Sequence, residues 1–344
     1  MLCVDVHNHY APPEILTGAR SGDGIDGLRI EPGPGGTEWV IHRQGFRWPL
    51  HPTFHDLAAR LRAMDELGID VAVLSVAPPL FLYWLDDVAA AAECARLTND
   101  SLAAFAAASS GRIAPVATLP MQDPDAAVGE LRRAVTELGM KGAQIGPRVE
   151  QVGLDDPRVR PVLAAAAELG VPLILHPYHV GKRAGLEDYY LSNLVGNPLE
   201  STVGAARLIL GGVLDELPDL RAVLLHGGGY LPYQIGRLDH GYRVRPESRG
   251  CWERPSSYLR RFWYDTLTHA ARPLGLLLEL VRADRVVYGT DFPFDMGGGP
   301  LAAQLAGVDL DHAARRHVAG GNAVELFGLD PALAADAARG AAAG

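Results

Sequence analysis

Eight short runs dominated by Val, Ile, Leu and Ala recur along the chain, separated by longer Ala- and Leu-rich stretches of helical pattern. The runs are Leu2–His7, Val71–Val76, Ile113–Leu119, Gly142–Ile145, Pro172–His176, Ala222–His226, Phe262–Thr266 and Arg285–Tyr288. Strands that are apolar without alternation belong to a parallel sheet buried on both faces. Helical patterns lie at Phe54–Leu67, Val88–Ala108, Pro124–Leu138, Pro157–Leu169, Pro198–Leu217, Leu231–Tyr242 and Pro273–Val281. Several open at Pro or an acidic residue and stop at Gly, as in Leu138-Gly139 and Leu169-Gly170, the usual start and stop signals. Eight such units predict an α/β chain closed into a (β/α)8 TIM barrel over residues 1–329. No GxGxxG or Walker pattern follows an early strand to favour a doubly wound sheet instead. Residues 11 to about 53 are rich in Gly and Pro, with one strand-like piece at Trp39–His42. That stretch is too long for an ordinary loop and predicts a small hairpin insertion over the barrel mouth. The Ala-rich tail, 330–344, is expected to be a frayed helix or disordered.

Residues of metal-binding type gather at one end of this map. His7 and His9 sit where the first run ends, His176 closes the fifth run, His226 closes the sixth, and Asp291 follows the eighth in Tyr288-Gly289-Thr290-Asp291. In a barrel the carboxyl ends of the strands share one face, which is where active sites lie. In extended backbone residues i and i+2 point the same way, so His7 and His9 can grip one ion together. Imidazoles with a carboxylate suit Zn²⁺ or a similar borderline divalent metal, with a position left for water or substrate. A single histidine ending an apolar strand is ordinarily a hydrogen-bonded core or rim residue. Several at the same end of separate strands are not explained that way and point to a metal-dependent enzyme.

Composition removes other classes. With 344 residues, 48% of them hydrophobic, the chain has ample material for one large core. A formal net charge of −10 argues against nucleic acid as a partner, since a polyanion calls for a basic face. No apolar run reaches the roughly 20 residues of a membrane span. The start, MLCVDVHNHY, has neither a basic leader nor a long apolar stretch, so no signal peptide is expected. Cys3, Cys94 and Cys251 form no CxxC pair and read as reduced thiols, consistent with a cytoplasmic protein.

Several segments carry a family likeness: Val4-Asp5-Val6-His7-Asn8-His9-Tyr10, Phe81-Leu82-Tyr83-Trp84, Leu175-His176-Pro177, Leu194-Val195-Gly196-Asn197-Pro198, the run His226 to Tyr233, Gly236-Arg237-Leu238, the run Tyr288 to Phe294, and Asn322 to Leu329. The chain resembles the amidohydrolase superfamily, and within it aminocarboxymuconate-semialdehyde decarboxylase and its relatives, from residue 1 to about 329. The resemblance implies one divalent ion, held by His7, His9, His176 and Asp291. It implies that His226 stays off the metal as an acid/base residue. It also implies a homodimer in which Arg237 reaches the neighbouring subunit's active site. Two-metal members of the superfamily bridge their ions with a carboxylated lysine at the end of strand 4; here Lys141 precedes that strand and its end reads Ile145-Gly146, so a second ion would lack its bridge.

The implied function is non-oxidative decarboxylation of an unsaturated or aromatic carboxylic acid, with His226 and Asp291 handling protons and an arginine neutralising the acid. Metal-assisted hydrolysis of an ester, lactone, thioester or amide is the alternative, because the same ligands serve both chemistries. The arginine that relatives carry after strand 1 corresponds to Arg47, in Gly45-Phe46-Arg47-Trp48, with Arg43 as the other candidate. Tyr178, His179 and Tyr190 replace residues expected in the decarboxylase, including a tryptophan at the Tyr190 position. They are expected to line the substrate pocket. His269, after strand 7, is a candidate to orient substrate.

Overall fold

The first strand, β1 (Val4–Tyr10), is buried along its whole length, which requires cover on both sides. The computed structural model describes residues 1–178 and 184–330 and supplies that cover with a closed parallel barrel. Its remaining strands are β2 (Val71–Val76), β3 (Ile113–Pro115 continuing as Ala117–Thr118), β4 (Ala143–Ile145), β5 (Leu173–Leu175), β6 (Ala222–Leu224), β7 (Phe262–Asp265) and β8 (Val286–Val287). Each pairs in parallel with the next. The two pieces of β3 face different neighbours, the first β2 and the second β4, and Val116 between them still donates to Leu74 O at 3.0 Å. Closure of the ring falls between β8 and β1. There Val6 N donates to Tyr288 O, Asp291 N to His7 O and His9 N to Phe292 O, at 2.8–2.9 Å.

Inside the ring, Val4, Val6, Val71, Val73, Ala114, Val116, Ile174, Val223, Leu225 and Val287 form one cluster, closed at the bottom by Ala323, Leu326 and Phe327 of the short helix Asn322–Phe327. A β-bulge shapes β1: three residue steps from Asp5 to Asn8 oppose two from Ala72 to Leu74. The extra residue changes which parity faces inward. Val4 and Val6 therefore fill the interior while His7 and His9, one position out of phase, face the cavity above them.

Two expectations are corrected. Residues 11–53 hold more than a hairpin: a helix, Pro13–Ser21, precedes a three-stranded antiparallel sheet of Leu28–Pro32, Glu38–His42 and Arg47–Pro49. Pro at the helix start and left-handed Gly22 at its end are the signals for it. The helix expected over Pro198–Leu217 is two, Asn197–Leu210 and Val213–Glu216, broken at Gly211-Gly212. The tail beyond residue 330 lies outside the described residues. Among the described residues no helix is long and apolar enough to cross a membrane, and all three cysteines are free.

Candidate metal centre

Four side chains from three parts of the barrel rim converge on one point. His7 and His9 come from β1, His176 follows β5, and Asp291 follows β8 with a left-handed φ of 63°. One donor atom from each lies within 4.8 Å of every other, and all four residues are buried. From Asp291 Oδ1 the distances are 2.9 Å to His9 Nε2, 3.1 Å to His7 Nε2 and 3.8 Å to His176 Nε2. Ligands each about 2.0–2.2 Å from a common ion are separated by distances of this order. The Nε2 atoms of His7 and His176 are buried and make no hydrogen bond within the protein, so the barrel leaves two lone-pair sites aimed at the same spot. The residues fit a divalent cation.

The charges agree. Burial alone would depress His7, but Asp291 and the hydrogen-bonded Asp265 outweigh it and raise the ring to about 10. Burial pushes His9 down to about 4 and His176 well below the usual imidazole range. These two rings are thereby held neutral, the form in which imidazole ligates metal. Against the cost of its burial, the surrounding imidazoles, His7 foremost, hold Asp291 ionised, well below the usual carboxylate range. The negative field that raises His7 is the field that favours a cation between these groups.

Supporting contacts fix the donors. His7 Nδ1 lies 2.7 Å from Asp265 Oδ2, and His176 Nδ1 donates to Pro177 O. Asp5 accepts from the Thr290 hydroxyl at 2.5 Å and from Thr290 N at 3.0 Å, anchoring the turn that carries Asp291. Arg60, fully buried and stacked 4.9 Å over Phe292, donates to Asn8 Oδ1 and His9 O across the β1 rim. Asp5, Arg60 and Asp265 escape a reading of the sequence as site residues. The only signal is a charge placed in, or at the end of, an apolar run. At the end of β4, where a bridging lysine would be needed for a second ion, a Cβ on Gly146 would come 2.6 Å from the Tyr178 ring. Among the described residues the four-donor set is the one cluster of this kind.

His226 adjoins the donors without belonging to the four that share a point; its ring centroid is 5.0 Å from that of His7 and 5.2 Å from that of His176. Its Nε2 is 3.6 Å from the other oxygen of Asp291, Oδ2, and its backbone is left-handed at φ 56°. The cleft around the centre has two arms that meet at Asp291. Tyr178, Tyr190, Phe46, Pro78, Pro79, Phe294 and Asp295 line one arm; His226, His269, Arg272, Leu267 and Tyr233 line the other. Tyr178 is buried and its hydroxyl already accepts from Glu150 N at 2.8 Å, so it offers substrate a ring face. Tyr190 is half-exposed. His179 lies outside the described residues.

Among the described residues, none of the arginines singled out in the sequence lines either arm of this chain's own cleft. Arg47 is exposed, 5.6 Å over the Trp39 ring, and it is its neighbour Phe46 that lines the cleft. Strand alternation puts Phe46 and Arg47 on opposite faces of the insertion sheet. Arg43 rests against Gly27. Arg237 is exposed on the helix Leu231–Val244, outside both arms. Arg272, unnoticed in the sequence, is the arginine that does line the cleft.

A parallel barrel that gathers three imidazoles and a carboxylate at the carboxyl ends of its strands defines a metal-centred barrel enzyme. This chain belongs to the amidohydrolase family, whose model matches residues 4–329. It is 34% identical over 281 residues to the 2-amino-3-carboxymuconate-6-semialdehyde decarboxylase of Dictyostelium discoideum, covering 80% of this chain and 77% of that one. It is 33% identical over 289 residues to the gamma-resorcylate decarboxylase of Rhodococcus jostii, covering 79% and 87%. The crystal structure of a dihydroxybenzoic acid decarboxylase from Polaromonas sp., with bound manganese and the inhibitor 2-nitroresorcinol, superposes with a TM-score of 0.76 at 27% identity, covering 95% of this chain and 97% of that one.

Proposed function

We propose that this enzyme removes CO2, without an oxidant, from an unsaturated or aromatic carboxylic acid. The observation that carries the reading is His226, outside the four-donor set yet beside the other oxygen of Asp291 in a cleft walled by apolar groups. A divalent ion held by His7, His9, His176 and Asp291 would act as a Lewis acid that draws charge from substrate oxygens. The protein's own groups do the rest. Pro78, Pro79, Phe46, Phe294 and the Tyr178 ring accept a flat apolar body and exclude water from it. As the carbon–carboxyl bond breaks, its electron pair stays on the substrate carbon, and a proton delivered from His226 replaces the departing CO2. Asp291 Oδ2, beside His226 Nε2, orients that ring. The relatives named above are decarboxylases, which favours this reading over hydrolysis of an ester, lactone, thioester or amide. The test is CO2 release from a panel of hydroxybenzoates and unsaturated acids with the metal-loaded enzyme. Inertness towards the whole panel, together with turnover of esters or lactones, would overturn the assignment.

Zinc is the proposed native ion, on the strength of the three-imidazole, one-carboxylate set; the Polaromonas relative carries manganese. Native metal content after purification without added salts decides between them. The cytoplasm is the proposed compartment, in keeping with three unpaired thiols.

Arg272, which lines the cleft, is proposed to meet the incoming carboxylate in place of Arg47. Arg272→Ala is then expected to raise KM by about tenfold with little change in kcat, as loss of one charge-assisted hydrogen bond does. An unchanged KM removes Arg272 from the site.

We also propose a homodimer. Tyr233 and Val244, on the same helix as Arg237, are exposed at 75% and 54%, and Arg237 has no ion-pair partner among the described residues. Large exposed apolar groups around a free cation suit an interface. With Arg237 acting in the partner's site, mixing inactive His226→Ala and Arg237→Ala chains should restore part of the activity, because one hybrid site is intact. A fully active monomer at assay concentration ends the idea.

A further inference from the structure

Asp265 ends β7 with no exposure to solvent, and both of its oxygens are committed. Oδ2 lies 2.7 Å from His7 Nδ1, and Oδ1 accepts from Gly227 N at 2.7 Å. The first contact reaches the back of a metal-donor ring. The second reaches the residue that follows His226, inside the left-handed turn that presents it. Packing leaves the carboxylate no other position. A Cβ on Gly289 would come 2.8 Å from Asp265 Cβ and 2.9 Å from His7 Cβ, so the β1, β7 and β8 ends fit together only with glycine there. Among the described residues Asp265 has no lysine or arginine partner; His7 is its ion-pair contact. A buried anion needs positive charge beside it; His7 supplies it as an imidazolium, and a bound ion supplies it on taking the place of the Nε2 proton, as in carboxylate–histidine–metal triads.

We propose that Asp265 is a positioning residue that ties the metal centre to His226. It holds His7 in the tautomer with the proton on Nδ1, which leaves the Nε2 lone pair for the ion. Through Gly227 N the same carboxylate holds the turn that carries His226, so one side chain sets the relative placement of the metal and the proton donor. Asp5 serves as a contrast. It is equally buried, but it binds backbone and the Thr290 hydroxyl and touches no imidazole nitrogen.

An amide at this position meets both contacts incompletely. Asp265→Asn must either turn its NH2 to His7 Nδ1, inverting the tautomer, or turn it to Gly227 N–H, where donor faces donor. Metal affinity, read by competition with a chelating dye in the absence of substrate, is expected to fall about 10–100-fold. The visible spectrum of the cobalt-substituted protein is expected to change, and at saturating metal kcat should fall while KM stays near native. Native affinity together with a native cobalt spectrum overturns the proposal. If the variant does not fold, nitrogen-15 spectra of histidine-labelled native zinc protein decide instead. The proposal requires a slowly exchanging imidazole proton on His7 Nδ1, and a His7 protonated on Nε2 refutes it. Metal affinity, the cobalt spectrum and the imidazole proton are read without turnover, so the deciding result stands apart from whether decarboxylation is the reaction.

Discussion

His226→Ala is expected to keep its metal and lose about 10²–10⁴-fold in turnover, the usual contribution of a general acid–base group. The two halves of that expectation have separate structural grounds. Metal is kept because the four donors converge without His226, whose Nε2 lies 3.6 Å from Asp291 Oδ2 while the three donor imidazoles gather around Oδ1. On the proposed mechanism turnover is lost because the proton that replaces CO2 comes from His226, which lines the cleft and lies beside Asp291 outside the donor set. Metal analysis and steady-state kinetics on one preparation read both. If metal falls in proportion to activity, His226 is a ligand and its role as proton donor is wrong.

The barrel was legible because its strands are buried on both faces and so read as unbroken apolar runs. The site was legible because each donor stands at the end of such a run, where a polar residue is conspicuous. The hidden parts depend on contacts distant in sequence or on backbone irregularities with no composition signal. Asp265 meets His7 across 258 positions, and the run Phe262-Trp263-Tyr264-Asp265 looks like any strand that ends in a polar residue. The β1 bulge contains neither Gly nor Pro; Val4 to His9 reads as plain strand, and the inward turn of both Val6 and His7 follows only from its pairing with β2. Arg47 shows a different limit. Strand alternation in the insertion could be read, but which face turns to the cleft is set by how Phe46 and Trp48 pack, with Trp48 and Phe54 against Phe294. Arg272 carries no motif and lines the cleft only because the helix Ala271–Val281 starts at its edge.

His176→Ala should empty the site. His176 brings the third imidazole. The residue is only 5% exposed and its Nε2 is unpaired within the protein, so its place in the structure is explained by a ligand rather than by packing. Without it, two imidazoles and one carboxylate remain, and the cavity left by the ring is open to water from the Tyr178 arm of the cleft. Elemental analysis after dialysis should give one ion per native chain and essentially none per variant, and activity should vanish with the ion. Thermal unfolding gives an independent reading. A ligand at 100 times its dissociation constant stabilises a folded protein by about 2.7 kcal/mol, so added metal should raise the native melting temperature and leave that of the variant unchanged. The comparison also separates His176 from His226, whose alanine variant should still respond to metal. Two ions per native chain would contradict the mononuclear centre. A His176→Ala protein that keeps a tight ion and native turnover would show that His7, His9, His176 and Asp291 are not the donor set the enzyme uses.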